Sequence, residues 1–473
     1  MDLPESELTL AMRGEVRAFN TQDLIVHLLR EKTETGPALL VLEDAQWLDS
    51  ASWGLLRQVV EGVASLLVVV VSRPLTPPLP LALAELLQRP ETHSLRLEPL
   101  TRDETAALLQ ERLGGVPSPG LVDRIHQRAA GNPFFTRELA MAMLERGLIV
   151  GEPGGLSLAP QASQDDVLAL PETVQAVVLA RIDRLEPRQQ LMLKVASVIG
   201  RSFSYEVLHR VYPVVDDRPV LRQKCDELVG LDLTRLEHPE PTLSWLHQQE
   251  TTREVAYDLL LFAQRRQLHQ TVAETLEGEG TDSQRAKQAP RLAWHWGQAG
   301  RTDKELLYLE RAGDLAIREG AYLEAEAAFR RLQELEVGPD VQVDTRRAHW
   351  ERQRGEALLG LGRLQESRAA LERAVGLLGF PVPRSLPGVG WSLLKGASLQ
   401  LGFRKLGRRP RLHSDEGKRR STDAAQGYLR LIETYFFLAG PEETLNAALQ
   451  ALNIAEEAGP SPELARAYAL TGW

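Results

Sequence analysis

The sequence predicts an α/β segment of about 100 residues followed by an all-α chain that ends in helical repeats. Three observations carry that expectation. Two short runs that are apolar on every side, Leu39–Leu42 and Leu66–Val71, flank a helical pattern over Leu55–Val63. From Thr101 onward apolar residues recur at helical spacing almost without a break. Three segments, starting at Gly320, Gly362 and Gly440, repeat a glycine, a short turn and a helix with small residues at its packing positions.

In chain order, the two apolar runs read as neighbouring strands of a parallel sheet covered on both faces. A third strand is expected in HSLRLEPL (93–100), ending at Thr101, which with Glu104 forms the signature of a helix-capping box. TRDETAALLQERL and PGLVDRIHQRAAG follow as helices, with Gly131 suited to a C-terminal cap. The Gly/Pro-rich stretch GEPGGLSLAPQASQDD (151–166) is expected to be a loop or domain joint. LPETVQAVVLARIDRLEPRQQLMLKVASVIG gives two more amphipathic helices, and the helical pattern continues to about Glu277. With the helices before them, HWERQRGEALLGLG and AAQGYLRLIETYFFLAG, the Gly-led segments form helix–turn–helix units of the tetratricopeptide kind. Their starts lie 42 and 78 residues apart, against the usual ~34, so insertions interrupt the array. The larger insertion contains Phe403–Arg420, with eight Lys/Arg, read either as a patch for an acidic partner or as a solvated loop between repeats. The sequence stops in ELARAYALTGW, within what the pattern makes another repeat helix, so the chain is expected to be a piece of a longer array.

Composition narrows the function classes. The 473 residues carry a net charge of −10, which argues against a general nucleic-acid or anionic-membrane binder. A single cysteine, Cys225, excludes an intrachain disulfide framework and fits a reducing compartment. The first ten residues, MDLPESELTL, lack the apolar core of a signal peptide, and Ala64–Val71 is far short of the ~20 residues of a spanning helix. A cytoplasmic protein is expected.

The chemistry sits in PALLVLEDAQWLDS (37–50). A strand ending in acids beside a phosphate site holds Mg²⁺ and positions the attacking water, and Glu43 and Asp44 stand where such acids belong. The alternative is that Asp44 or Asp49 caps the next helix. Arg73 ends the next apolar run, where a sensor arginine would meet a γ-phosphate; the alternative is a solvated loop charge. A phosphate-binding loop needs G-x-x-x-x-G-K-[ST], because successive backbone N–H groups wrap the phosphates. Before Leu39 the only glycines are Gly14 and Gly36, and neither begins that pattern.

LLVLEDAQWLD, VVVVSRP, LEPLTRDETAALL and AAGNPFFTREL, in this order, resemble the signal-transduction ATPases with numerous domains, the STAND class. LPETVQAVVLARIDRLEPRQQLMLKVASVIGRSF and LHQQETTREVAYDLLLFAQRRQLH resemble the helical and winged-helix modules that follow there. AVGLLGFPVPRS and ALNIAEEAGPSPELARAYA fit the regulatory half of bacterial class III adenylate/guanylate cyclases of the soluble-cyclase-like branch. The resemblance implies a partial P-loop NTPase sheet over 1–100 and a helical lid over 101–165. A winged-helix-like domain over 166–285 and a TPR-type solenoid over 286–473 complete it. Glu43 then takes the metal position, with Glu where Asp is usual, Asp44 is its acidic neighbour, and Arg73 is the sensor. Asn132 and Pro133 in GNPFF match a Gly-x-Pro motif that packs near the adenine, the alternative being a turn beside a buried aromatic pair. His247 takes a position whose imidazole can contact the β-phosphate of ADP, the alternative being a local hydrogen bond; His269 is expected to be structural. The class implies ATP or ADP with Mg²⁺, an upstream cyclase or kinase output domain, and a protein or peptide partner on the repeats. The Walker A elements are read as absent, with Met1 an internal start or fragment boundary, and the isolated chain is expected to bind Mg-ATP weakly or not at all. A LuxR-like transcriptional regulator and a repeat scaffold with a dead nucleotide site are the rival expectations.

Overall fold

Two five-residue strands, β1 (Ala38–Leu42) and β2 (Leu66–Val70), pair in parallel with Ala38 opposite Leu66 and Leu42 opposite Val70. They belong to a computed structural model that describes residues 14–75, 79–152, 155–160, 172–278, 281–336, 341–405, 415–438 and 440–471. The chain forms two compact units, one of Met1–His93, Thr281–Ala293 and Thr302–Trp473, the other of Ser94–Gly280 and Trp294–Arg301. In the first unit, α1 (Gly14–Glu34) precedes the sheet, α2 (Ser50–Gly62) makes the crossover, and α3 (Leu81–Leu87) follows β2. Leu40, Leu42 and Val68 pack on a core of Ala45, Trp53, Leu56 and Leu86, and Val26 of α1 joins Val59, Val63 and Leu66.

The expectation of a sheet covered on both faces is corrected here. Leu39 and Leu67 are 62% and 64% exposed, and Val41 and Val69 are exposed beside them. All-apolar strands do not say which faces are covered, and among the described residues of this unit the helices reach only one. The strand expected at 93–100 also does not form, and Leu95 and Leu97 are 85% and 84% exposed. An alternating pattern becomes a strand only where a neighbour completes its hydrogen-bond ladder, and none of the described residues does so here.

In the second unit, α4 (Arg102–Leu113) begins with the expected capping box of Thr101 and Glu104. It packs with α5 (Pro119–Ala129) and α6 (Pro133–Glu145) around Leu109, Leu121, Ile125 and Leu139. Ala130 and Gly131 both turn through the left-handed region between α5 and α6, with φ of 48° and 72°. A Cβ on Gly131 would lie 2.5 Å from the Leu100 carbonyl oxygen, so only glycine fits. Part of the expected loop is instead a hairpin of β3 (Ile149–Glu152) and β4 (Gly155–Leu158), whose residues close a ladder despite their glycines. Its remainder, 161–166, lies outside the described residues. Two helices, α7 (Val174–Asp183) and α8 (Pro187–Ile199), follow as expected. A three-stranded antiparallel sheet then runs in the order β5 (Ser202–Ser204), β7 (Ser244–His247), β6 (Thr234–His238). The helices α9 (Tyr205–Val211), α10 (Leu221–Gly230), α11 (Glu250–Asp258) and α12 (Phe262–Gly278) accompany it. Cys225 is buried beside Met192, and burial pushes its thiol up to about 12, so it is no nucleophile at neutral pH.

The rest of the first unit holds the repeats. The helices α13 (Thr302–Glu319) and α14 (Tyr322–Leu335) pair, as do α15 (Val341–Gly360) and α16 (Leu364–Leu377). The first helix of each pair carries a glycine under a large side chain of the second. A Cβ would lie 2.6 Å from Phe329 at Gly313 and 2.6 Å from Leu371 at Gly355. Gly320 and Gly362 make the turns at φ of 74° and 71°, but Gly440 sits in extended backbone at φ −75° as an N-cap. Glu326, 5% exposed, accepts from Nε and Nη2 of Arg354, so the buried carboxylate is paired. The wide spacing before Gly440 accommodates α17 (Leu386–Lys405), ahead of α18 (Asp415–Leu438), α19 (Pro441–Ala458) and α20 (Pro462–Thr471). Residues 406–414 of the basic insertion lie outside the described residues.

Gly355→Ala is expected to cost about 1–3 kcal/mol by overpacking against Leu371. Gly376→Ala, where nothing lies within 4 Å, should be neutral or stabilising by up to ~1 kcal/mol. Urea titrations followed by circular dichroism compare the two, and equal midpoints would contradict the helix-pair packing.

Candidate functional site

At the C-terminal ends of β1 and β2 the chain draws three of the predicted residues together. Backbone bonds from Val71 N–H to Leu42 O (2.8 Å) and from Ala45 N–H to Val71 O (2.9 Å) tie the two strand ends. Glu43 is exposed, and Asp44 is half-buried in the left-handed region at φ 53°, a conformation aspartate tolerates better than most residues. Gln46 bridges the two strand ends. Its Nε2 donates to Asp44 Oδ1 at 3.1 Å and its Oε1 accepts from the Arg73 backbone N–H at 3.2 Å. The Arg73 side chain is exposed. Acids and a cation at adjacent strand ends of a β–α–β unit can hold a hydrated divalent ion and an anionic ligand, as the carboxyl ends of parallel strands commonly do.

Asp49 serves the helix instead. Its carboxylate accepts from Ser52 N–H at 2.7 Å as the N-cap of α2. A second carboxylate reaches the same helix end from the repeats: Glu324 of α14 accepts from Ser50 N–H at 3.0 Å and from Ser50 Oγ at 2.6 Å. Two acids at a helix N-terminus satisfy its free N–H groups and match the positive end of the dipole. Sequence reasoning missed Glu324, which lies 274 residues away along the chain. It also passed over Gln46, whose only sequence signal is its place inside the acidic motif.

The remaining predicted residues lie in the second unit. Asn132, exposed, caps α6 by accepting from Phe135 N–H at 2.9 Å, and Pro133, also exposed, is the first helical residue. His247 is 3% exposed with its ring 5.4 Å from that of Phe203. Burial, helped by the positive charge of Arg253, pushes its pKa down to about 4, so the imidazole is neutral at neutral pH. His269 has the structural place expected of it. Its Nε2 shares a hydrogen bond of 3.0 Å with Tyr257 Oη, and its Nδ1 lies 2.9 Å from Nδ1 of His295. Burial, then the nearby Arg265, pushes His269 down to about 4. Among the described residues no group of three or more His, Cys, Asp or Glu side chains is placed to hold a metal by itself. No helix of the described residues is long and apolar enough to cross a membrane.

Comparison with known proteins adds three findings. Residues 101–155, which run from the capping box of α4 to the start of β4, match a domain of unknown function (DUF8739). An uncharacterized protein of Rhizobium meliloti (strain 1021) is 25% identical over 251 residues, 52% of this chain and 23% of that protein. The chain therefore aligns to under a quarter of the length of that relative. The structure also resembles a crystal structure of a Signal Transduction ATPase with Numerous Domains (STAND) protein with a tetratricopeptide repeat sensor from Pyrococcus horikoshii. The identity is 12%, the coverage 95% of this chain and 68% of that one, and the TM-score 0.38. A superposition at that level fixes neither a common topology nor a residue correspondence.

Two outcomes are expected. Glu324→Ala should cost about 1–2 kcal/mol, since Ser50 loses two charge-assisted bonds at a helix end. Thermal unfolding reads this, and an unchanged midpoint would show the contact to be idle. For His247 the folded pKa lies below the unfolded one, so the unfolded state binds more protons and stability falls as pH drops from 6.5 towards 4. About 2 kcal/mol should be lost from this residue between pH 7 and pH 5. His247→Leu should be near neutral at pH 7 and should flatten that part of the urea-midpoint profile; parallel profiles would refute the assignment.

Proposed function

We propose that this chain is a regulatory module of a STAND-type signalling ATPase, in which a helical repeat region senses a protein or peptide partner and a nucleotide site relays the signal. The supporting observation is the strand-end constellation of Glu43, Asp44 and Arg73 held by Gln46. Glu43 and Asp44 would hold Mg²⁺ through water, and Arg73 would meet a phosphate of ATP or ADP. Asn132 and Pro133 would lie by the adenine. His247 would have to leave its packing on Phe203 to touch a β-phosphate. The three-stranded sheet with its helices would be the winged-helix-like part of such a protein. The bare face of Leu39, Val41, Leu67 and Val69 is where further layers of a complete nucleotide-binding sheet would pack. An adenylate or guanylate cyclase is the output domain the sequence motifs favour, with a protein kinase next.

A repeat scaffold with a dead nucleotide site is the second reading. It is favoured by the local engagement of Asp44 with Gln46 and by the lack of the G-x-x-x-x-G-K-[ST] pattern in this sequence. Phosphate binding energy comes mostly from that backbone cradle and its lysine.

Titration with a fluorescent ATP analogue and Mg²⁺ tests the site. The expected affinity is weaker than about 100 µM, reduced further by Asp44→Asn. Micromolar affinity would contradict the incomplete cradle, and indifference to Asp44→Asn would support the dead site. The coding sequence on either side of this chain tests the relay: a cyclase or kinase supports it, and a downstream DNA-binding helix-turn-helix would point to a LuxR-like regulator instead.

A further inference from the structure

We propose that α17 is a docking surface for an anionic lipid bilayer, lying along the headgroup layer rather than crossing it. The helix has two opposite faces of different character. One faces α19. A Cβ on Gly396 would lie 2.7 Å from Leu449, and Gln400 Nε2 donates to Asn453 Oδ1 at 2.8 Å and to Glu456 Oε2 at 2.7 Å. Gln450 Nε2 donates to Ser392 Oγ at 2.9 Å, so this face is already fully engaged. The other face carries Trp391, Leu394 and Leu401 at helical spacing, 70%, 64% and 57% exposed, with Leu386 exposed in the first turn. Packing inside the repeats does not account for these four side chains.

Charge decides what covers them. Between Arg373, which pairs with Glu351, and Asp415 the sequence holds no acidic residue and seven Lys/Arg, in a chain with 65 acids and a net charge of −10. Lys395 stands exposed directly after Leu394. The side chains of residues 403–414 contribute only this composition and no geometry. Tryptophan and leucine beside lysine, with no carboxylate among them, suit the boundary between acyl chains and anionic headgroups: the rings and alkyl groups enter, and the cations stay with the phosphates. The negative charge of the rest of the chain is screened beyond roughly 8–10 Å at physiological ionic strength, so it does not cancel a local attraction. The net charge of −10 therefore belongs to the chain as a whole and does not govern this helix.

Co-sedimentation of the whole chain with large unilamellar vesicles tests the proposal. Vesicles of phosphatidylcholine with about 30% phosphatidylserine should carry the protein down, pure phosphatidylcholine should not, and high salt should weaken the binding. Trp391→Ala with Leu394→Ser should lower partitioning by about tenfold. Lys395→Glu should lower it too, with circular dichroism unchanged for all three exposed sites. Failure of the wild-type chain to bind anionic vesicles, equal binding to neutral ones, or no effect of these variants overturns the proposal. A dimer in sedimentation velocity that Trp391→Ala dissolves would assign the face to a second copy instead.

Discussion

The carboxylate of Glu324, set on the first N–H and hydroxyl of α2, is the contact on which the geometry of the strand ends depends. A two-stranded parallel sheet is not stable alone, so its form is set by what packs on it. Here one face of β1 and β2 is covered by α2 and α3, and α1 braces α2 through a bond between Gln58 and Gln22. On the repeat side, Ala51 packs with Ala316, Ile317 and Tyr322 of α13 and α14, so the Glu324 bonds are backed by an apolar seam. Any shift of α14 along its axis would move the cap of α2, and with it the loop from Glu43 to Asp49. The first repeat thus braces the start of α2.

The second unit, besides its apolar core, buries a group of neutral polar rings. His269, His295 and Tyr257 form a chain in which the two Nδ1 atoms, 2.9 Å apart, must share one proton. Either tautomer satisfies it, with the phenol donating in one and accepting in the other. Protonating His269 would place a charge in a dry interior near Arg265, and burial first, then that cation, keeps it neutral. Trp294 stands edge-on to both rings, closing the group from water.

What could be read from the sequence was what is decided within a few residues. The Thr101–Glu104 box, the left-handed Gly131 and the paired repeat helices are local matters of capping, backbone freedom and period. The two acids at the end of β1 were legible for the same reason. The uncovered face of β1 and β2 was not, because Leu39 and Leu40 look alike until it is known which one a helix reaches. Nor was the fate of His93–Leu100, where the alternation is good but the ladder partner is missing among the described residues. Nor was the burial of His247, which its neighbours across the sheet decide.

The two acids at the strand end are not equivalent, and the difference follows from backbone conformation. Asp44 has already turned into the left-handed region, which brings its Oδ1 back to Gln46 and so to the backbone of Arg73. Glu43, exposed and one methylene longer, takes no part in that bridge. Because Gln46 also accepts from the Arg73 backbone, Asp44 and Arg73 are linked through one amide. That linkage makes Gln46, rather than either acid, the side chain that joins the end of β1 to the end of β2.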